Sequence, residues 1–399
     1  MGPNGSQFRT PLYSIRYKSL FFLQRKYTSY LLQQLAASSI MKCCDHSYWL
    51  SFGTHGNDTT LLESERLRLL TTHMQDPDTQ QPSLLVLVGN TSKSLALREL
   101  FGIKRTRRSR SKRYAGEIHL YLDPSTIFYS RPILLADGDL PQQSLRERAP
   151  MTDRCHETIS RILLRAEAGL SYSALSIYSR LLLPFTDVFC FFSADVGGFR
   201  QIARYMAVWL ERAQISTLPR STLSKVIIVA EEMSPGAERE KEARKAFLWM
   251  LREETTRDLF EYISDIYVVA LLPDRRVSSE ARYRCLKERL LNGSDDVRNN
   301  RENTRTLFSA THFAALFQYA CNHFSQSSEQ PFDFIKVSRE QNPIAADLAK
   351  HLSIFLKYIK SAQELTDFAA PIIASSFFLD NYPLSTHSKQ ASSPISNKI

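Results

Sequence analysis

The sequence predicts an α/β protein, a mostly parallel sheet flanked by helices with a C-terminal helical region. Between residues 84 and 272, apolar runs of five to seven residues alternate with amphipathic stretches. Strands that alternate with helices are joined by crossovers, which keeps them parallel and covers both faces of the sheet. After Pro273 the β-type runs stop and only helical periodicity continues. With 399 residues, 43% of them apolar, the chain can bury one sizeable core and a smaller one.

In chain order, residues 61–75 (LLESERLRLLTTHMQ) read as a helix and 76–83, with two prolines, as a linker. The strand-like runs are 84–88, 117–122, 132–136, 187–192, 225–230 and 266–272. Phe199, Ile202, Met206, Trp209 and Leu210 recur at helical spacing over 198–213. A second helix spans 237–263, with Phe247, Met250, Leu251, Leu259 and Phe260 on one side. Residues 279–290, 311–324 and 344–360 read as helices. The second carries Phe313, Leu316, Phe317, Ala320 and Phe324 on one face, and the third buries Ile344, Leu348, Leu352, Phe355 and Ile359. Asn342 and Pro343 suit the start of that third helix. The expected domains are a basic N-terminal extension and linker helix (1–82), an α/β domain (83–275), a helical region (276–383) and a Ser-rich disordered tail (384–399).

The formal charge of +10 is unevenly placed: six positive charges lie in residues 1–44 and seven in 104–113 (KRTRRSRSKR), with no acid in either, which leaves −3 elsewhere. A nearly neutral body argues against nucleic acid as the partner of the whole protein. No apolar run approaches the ~18–20 residues of a membrane helix, so no transmembrane segment is expected. The expectation is a cytoplasmic protein. The acid-poor N-terminus also has the composition of a mitochondrial transit peptide, and the 104–113 run that of a nuclear-localisation patch, although seven like charges more simply read as a solvated loop. Six scattered cysteines, Cys43, Cys44, Cys155, Cys190, Cys285 and Cys321, fit reduced thiols better than a disulfide framework. Cys43-Cys44-Asp45-His46, Cys155-His156 and Cys321 with His323 lack the spacing that completes a metal site.

The stretch SLLVLVGNTSKSLALRELFG (83–102) organises the chain. An apolar strand runs into the polar turn Gly89, Asn90, Thr91, Ser92, Lys93, Ser94, and a helix follows that Gly102 can close. Strand, small-residue turn ending in Lys-Ser, then helix is the layout of a phosphate-binding P-loop. A full GxxxxGK[ST] loop wraps phosphate with backbone N–H groups, while its lysine reaches the β/γ oxygens and its hydroxyl holds Mg²⁺. Here Lys93 and Ser94 stand at the last two positions, but the glycine positions fall on Ser92 and Leu87. Counted from Gly89 instead, the loop is two residues short.

The run VGNTSKS…EIHLYLDPSTIFYSRPILLADGDLP…RLLLPFTDVFCFFSADVGGF…SKVIIVAEE, with PFDFIKVSREQNP downstream, resembles a group of large fungal P-loop GTPase-like proteins. The resemblance covers about residues 83–360, and some relatives continue into a patatin-like lipase domain. It implies a GTPase-like G domain that binds GTP or ATP with Mg²⁺ at Gly89–Ser94, the metal held by Ser94 and Asp137. The motifs are altered, however. The DxxG motif corresponds to Asp137-Gly138-Asp139-Leu140, with leucine at the γ-phosphate-sensing position. Tyr114-Ala115-Gly116 stand where a switch threonine belongs, and Ala230-Glu231-Glu232-Met233 replace the guanine-reading NKxD. No catalytic residue can be assigned.

Because phosphoryl transfer depends almost wholly on positioning and electrostatics, the expectation is a degenerate GTPase-like module, not an efficient enzyme, with weak or lost nucleotide binding and an unknown protein partner. The alternative is a nucleotide-binding protein with slow or no hydrolysis through Lys93, Ser94 and Asp137. A serine hydrolase, prompted by the patatin-like relatives, would rest on Gly169-Leu-Ser171-Tyr-Ser173, which lacks the second glycine of G-x-S-x-G and sits in a helical context.

Overall fold

The computed structural model describes residues 47–55, 58–103, 117–139, 158–164, 175–272, 277–326, 330–334, 336–337 and 347–381, all within the compact unit formed by 47–399. The elements in order are β1 (Tyr48–His55), β2 (Asp58–Ser64), α1 (Arg66–Thr72), β3 (Ser83–Val88), α2 (Thr91–Phe101), β4 (Ile118–Leu122), β5 (Ile133–Gly138), β6 (Thr158–Ile162), β7 (Val188–Phe192), α3 (Gly198–Arg212), β8 (Lys225–Ala230), α4 (Ala237–Glu254), β9 (Asp265–Ala270), α5 (Ser279–Asn303), α6 (Ala310–Gln326), α7 (Leu348–Leu356) and α8 (Ala370–Asn381). A π-helical turn (Ile177–Leu182) precedes β7, and a four-residue helical turn (Ser193–Val196) follows it.

The described strands form one sheet in the order β6-β2-β1-β4-β5-β3-β7-β8-β9. Four neighbouring pairs are parallel, β5–β3, β3–β7, β7–β8 and β8–β9. The other four, β1–β2, β1–β4, β2–β6 and β4–β5, are antiparallel. The sheet is therefore mixed, which corrects the expectation of a mostly parallel one. Five of the six announced runs form the parallel half, whereas the run 117–122 becomes β4 and pairs antiparallel with both β1 and β5. The antiparallel half comes largely from β1, β2 and β6, whose short runs carry polar residues and no buried-strand signature.

Alternation along the central strands sends successive side chains to opposite faces. Leu84, Val86 and Val88 join Phe189, Phe191, Val226 and Ile228 in a core closed by α1, the π-helical turn, α3, α4 and α6. Leu85 and Leu87 join Val188, Cys190, Ile227 and Val229 in a second core closed by α2 and α5. The result is a sheet with helices on both faces. Trp209 of α3 sits at the centre of the first core, within 5.3 Å of both Phe189 and Phe191 and 5.6 Å from a stacked Tyr178.

Several boundaries differ from the sequence reading. Residues 61–64 belong to β2, and the helix read over 61–75 occupies only Arg66–Thr72. Leu61 and Leu62 suit either period, and pairing decides the matter: Leu61 lies opposite Phe52 and Leu62 opposite Ser51. Buried Glu63 is matched by Arg161 of β6 at 2.6 Å. The helix read over 237–263 ends at Glu254, with a short 3₁₀ turn at Leu259–Glu261 capped by Asp258. The helix read over 279–290 runs on to Asn303, and its Tyr283, Leu286 and Leu290 line the second core. The face read on 311–324 is buried as expected. In α7 the stripe of Leu348, Leu352 and Phe355, continued by Ile359, is only half-buried. Ile344, Asn342 and Pro343, the tail from 384, the basic run 104–113, the 43–46 and 155–156 clusters and the Ser171 string lie outside the described residues.

Candidate functional site

After β3 the chain connects first to β4 and β5 on one side and later to β7 on the other, so the carboxyl end of β3 is a topological switch point. Open α/β sheets place ligands in the crevice beyond such ends. The Gly89 turn lies there, between Val88 and the first turn of α2.

An α-helix leaves its first four N–H groups without internal partners. Asn90 occupies the cap position of α2, yet its own side chain caps nothing. The donors are taken instead by one carboxylate from far along the chain. Asp195, in the turn after β7, accepts from Asn90 N–H (2.7 Å), Thr91 N–H (3.0 Å), Ser92 N–H (2.9 Å) and Lys93 N–H (2.9 Å). Each oxygen takes two donors. Hydrogen bonds to a charged acceptor are stronger than neutral ones, and the positive end of the helix dipole adds to the attraction. The backbone groups that would wrap a phosphate are thus wrapped around a side chain.

Close approach explains the glycine at 89. A Cβ there would lie 2.7 Å from Asp195 Oδ2 and 3.1 Å from Phe192 Cβ. The turn carrying Asp195 is closed by Gly197 N–H to Ser193 O (3.1 Å), and Gly197 and Gly198 have φ of +97° and +84°, a region that favours glycine.

Lys93 is engaged as well. Its side chain is fully buried, with Nζ 2.7 Å from Asp137 Oδ1 and donating to Gly138 O at 2.7 Å and to Asp139 Oδ1. Asp137 is also fully buried. The ammonium and its two carboxylates form a closed ionic cluster in which Asp137 has no exposed surface to offer a metal. Ser94 Oγ donates back to Asn90 O, an ordinary helix-interior contact. In this arrangement the set Ser94, Asp137 does not fit Mg²⁺, and among the described residues no group of three or more His, Cys, Asp or Glu is arranged to hold a metal.

Gly138 has its own role: a Cβ there would come 2.2 Å from the Tyr178 hydroxyl, which donates to Asp139 O at 3.1 Å. Leu140, which the resemblance aligns with the γ-phosphate-sensing position, lies outside the described residues, as do Tyr114, Ala115 and Gly116. Glu231, which the resemblance aligns with the base-reading motif, faces inward. Its Oε2 accepts from Ser193 Oγ (2.9 Å) and Ala194 N–H (3.1 Å). Burial pushes its carboxyl above the ordinary value of 4.5, against the lowering effect of those bonds. Glu231 therefore grips the same turn whose Asp195 fills the cradle.

A second polar cluster lies between β1 and β4. Ser47 Oγ is 3.0 Å from His119 Nδ1, and His119 Nε2 is 3.5 Å from Glu117 Oε2. The order resembles a hydrolytic triad, but Ser47 Oγ donates to Tyr121 (3.0 Å), and Ser47, His119 and Glu117 are all buried. A hydroxyl so enclosed and so directed is a structural group, not a nucleophile.

The sequence reading placed Gly89, Asn90, Thr91, Ser92, Lys93, Ser94 and Asp137 in one neighbourhood, and the structure brings them there. It missed Asp195. The signal was an acid three residues past a buried strand and two before a Gly-Gly pair (SADVGG), legible only once β7 is known to lie beside β3. Buried Cys190 and Cys321 are free thiols, as is exposed Cys285, and no helix among the described residues is long and apolar enough to cross a membrane. No protein-family model and no curated protein matches the chain.

Proposed function

We propose that this chain is a degenerate GTPase-like P-loop protein, a regulatory or interaction module in which nucleotide binding is weak or lost. The observation that carries this reading is the Asp195 carboxylate, which holds four consecutive N–H donors of the Gly89 turn, those of residues 90–93. The parallel run β5–β3–β7–β8–β9, with the turn at its switch point, supports the GTPase-like part of the reading.

A triphosphate would have to displace a tethered competitor whose effective concentration reaches the millimolar range or more. It would also have to draw Lys93 away from Asp137 and Asp139, leaving carboxylates without their partner. Apparent affinity falls by the fraction of molecules in which the site is open. On this reading the phosphate site is filled by the protein itself, and what remains is a switch-point surface without its chemistry. The alternative, binding through Lys93, Ser94 and Asp137 with slow or no hydrolysis, requires all three groups to change partners.

Titration with a fluorescent GTP or ATP analogue, with and without Mg²⁺, tests this. The expected outcome is no saturable binding up to about millimolar nucleotide. Micromolar, Mg²⁺-dependent binding that Lys93→Ala abolishes would overturn the proposal in favour of the alternative.

A further inference from the structure

We infer that the helical arm 347–381 is an interfacial anchor, which lays an apolar face on an anionic lipid surface. The inference goes beyond the reading above and rests on side chains that neither the Gly89 turn nor the ionic cluster uses.

The arm consists of α7, a turn through Ser361, and a second helical stretch in which Ala362–Glu364 and the π-helical turn Leu365–Ala369 lead into α8. None of its described side chains belongs to either core, and both cores are already closed by α1 to α6. Phe355 of α7 meets Phe368 of the second stretch, with ring centroids 6.4 Å apart. Even so, Ile354, Leu356, Tyr358, Leu365, Phe368 and Ile372 stay exposed, Tyr358 at 74% and Phe368 at 56%. Exposed apolar surface gathered in one place and unused by the fold marks a contact surface.

The placement of charge identifies what covers it. In α7, Leu348, Leu352 and Phe355 form the middle of an apolar arc, with Ile354 on one flank and Leu356 on the other, spanning roughly 200° of the helix. Lys350, Ser353 and Lys357 occupy the remaining side, Lys360 follows, and no acid lies between 348 and 363. His351, on the Ile354 flank, pairs with Asp347 at 3.1 Å. The acids of the second stretch, Glu364 and Asp367, accept from Lys360 N–H (2.8 Å) and Gln363 Nε2 (2.6 Å). A broad apolar face backed by lysines is the form of a helix lying in a bilayer interface, its stems along the acyl boundary and its cations at anionic headgroups. A protein partner would meet the apolar arc alone, whereas an anionic bilayer engages arc and lysines together. No described helix is long and apolar enough to cross a membrane, so the arm lies on the surface.

The test is flotation of the full chain with vesicles of phosphatidylcholine alone or of phosphatidylcholine with phosphatidylserine. The wild type should bind the anionic vesicles at least about tenfold more tightly than the neutral ones, and less so as salt rises. Lys350→Gln with Lys357→Gln should weaken anionic binding roughly thirtyfold, since each lysine near such a surface contributes about fivefold. Leu356→Ser with Tyr358→Ser should weaken binding to both compositions. All four side chains are exposed, so the melting temperatures should match the wild type. Amide exchange at 348–360 should slow on anionic vesicles. A wild type that prefers neither composition overturns the inference. So does equal flotation of wild type and both double variants, which would assign binding to the basic runs 1–44 and 104–113. A concentration-dependent dimer in sedimentation velocity, dissolved by Leu356→Ser with Tyr358→Ser and indifferent to vesicles, would show that a second copy covers the face and would overturn it too. Nucleotide titration is read separately, so this failure and that of the proposed function are distinguishable.

Discussion

Asp195 Oδ2 lies 2.7 Å from the amide of Asn90, a residue 105 positions earlier in the chain, and this carboxylate caps the helix that Asn90 begins. The bond joins the turns after two adjacent parallel strands, β3 and β7. It makes the helix N-terminus an internal joint between two strand ends, and the ionic cluster beside it likewise satisfies buried groups from within the chain.

Lys93 should therefore behave as a structural residue. Its ammonium and the Asp137 carboxylate are both fully buried, and removing one partner of a buried pair leaves an uncompensated charge that costs about 3–5 kcal/mol. Lys93→Ala is expected to destabilise the protein by that amount in chemical denaturation without any nucleotide present. The double variant Lys93→Met with Asp137→Leu should recover most of the loss, because it removes both fully buried charges and leaves only the part-exposed Asp139. Unchanged stability in Lys93→Ala would show that Asp137 is solvated in solution and thus open to a metal.

Glu231 sets a pH dependence. Burial raises its carboxyl above the ordinary 4.5 despite two hydrogen bonds, so the folded protein binds its proton more tightly than the unfolded chain. Stability from this group is full below the unfolded value and declines as pH rises through the raised folded one. Glu231→Gln retains an oxygen to accept from Ser193 and Ala194 and removes the ionisation. Its stability profile should be flatter than the wild type above pH 4.5, with the variant equal or more stable at neutral pH. Thermal melts across pH would decide, and a steeper fall in the variant would contradict the assignment.

Arg301 ties α5 to the sheet. Its Nη1 is 2.6 Å from Asp187 Oδ1, with the two side chains 9% and 3% exposed, and Nη2 donates to Thr186 O at 3.2 Å. Burial raises the Asp187 carboxyl, and Arg301 opposes that shift. Arg301→Ala should cost about 3–5 kcal/mol in denaturant unfolding, a loss felt by the whole unit because α5 closes one of its two cores. A separate low-stability transition for residues after 277, with the sheet unaffected, would show instead that the helices form an independent region.

The sequence by itself determined the parallel half of the sheet and the helices that cover it. Leu84–Val88, Phe189–Phe192 and Val226–Val229 are apolar on both faces, which is stable only in a sheet covered twice, and the stripes of α3 and α6 have nowhere else to go. It also brought Gly89–Ser94 and Asp137 to one place, because the ends of neighbouring parallel strands are neighbours in space. Tertiary structure alone decided the rest. β1 and β2 pair because each finds a partner strand, not because Leu61 and Leu62 prefer a period. Lys93 points to Asp137 and Asp139 because a buried ammonium must be matched. Asp195 fills the cradle because β7 lies beside β3, and a relation between residues more than a hundred positions apart is written in strand order, which no local pattern encodes.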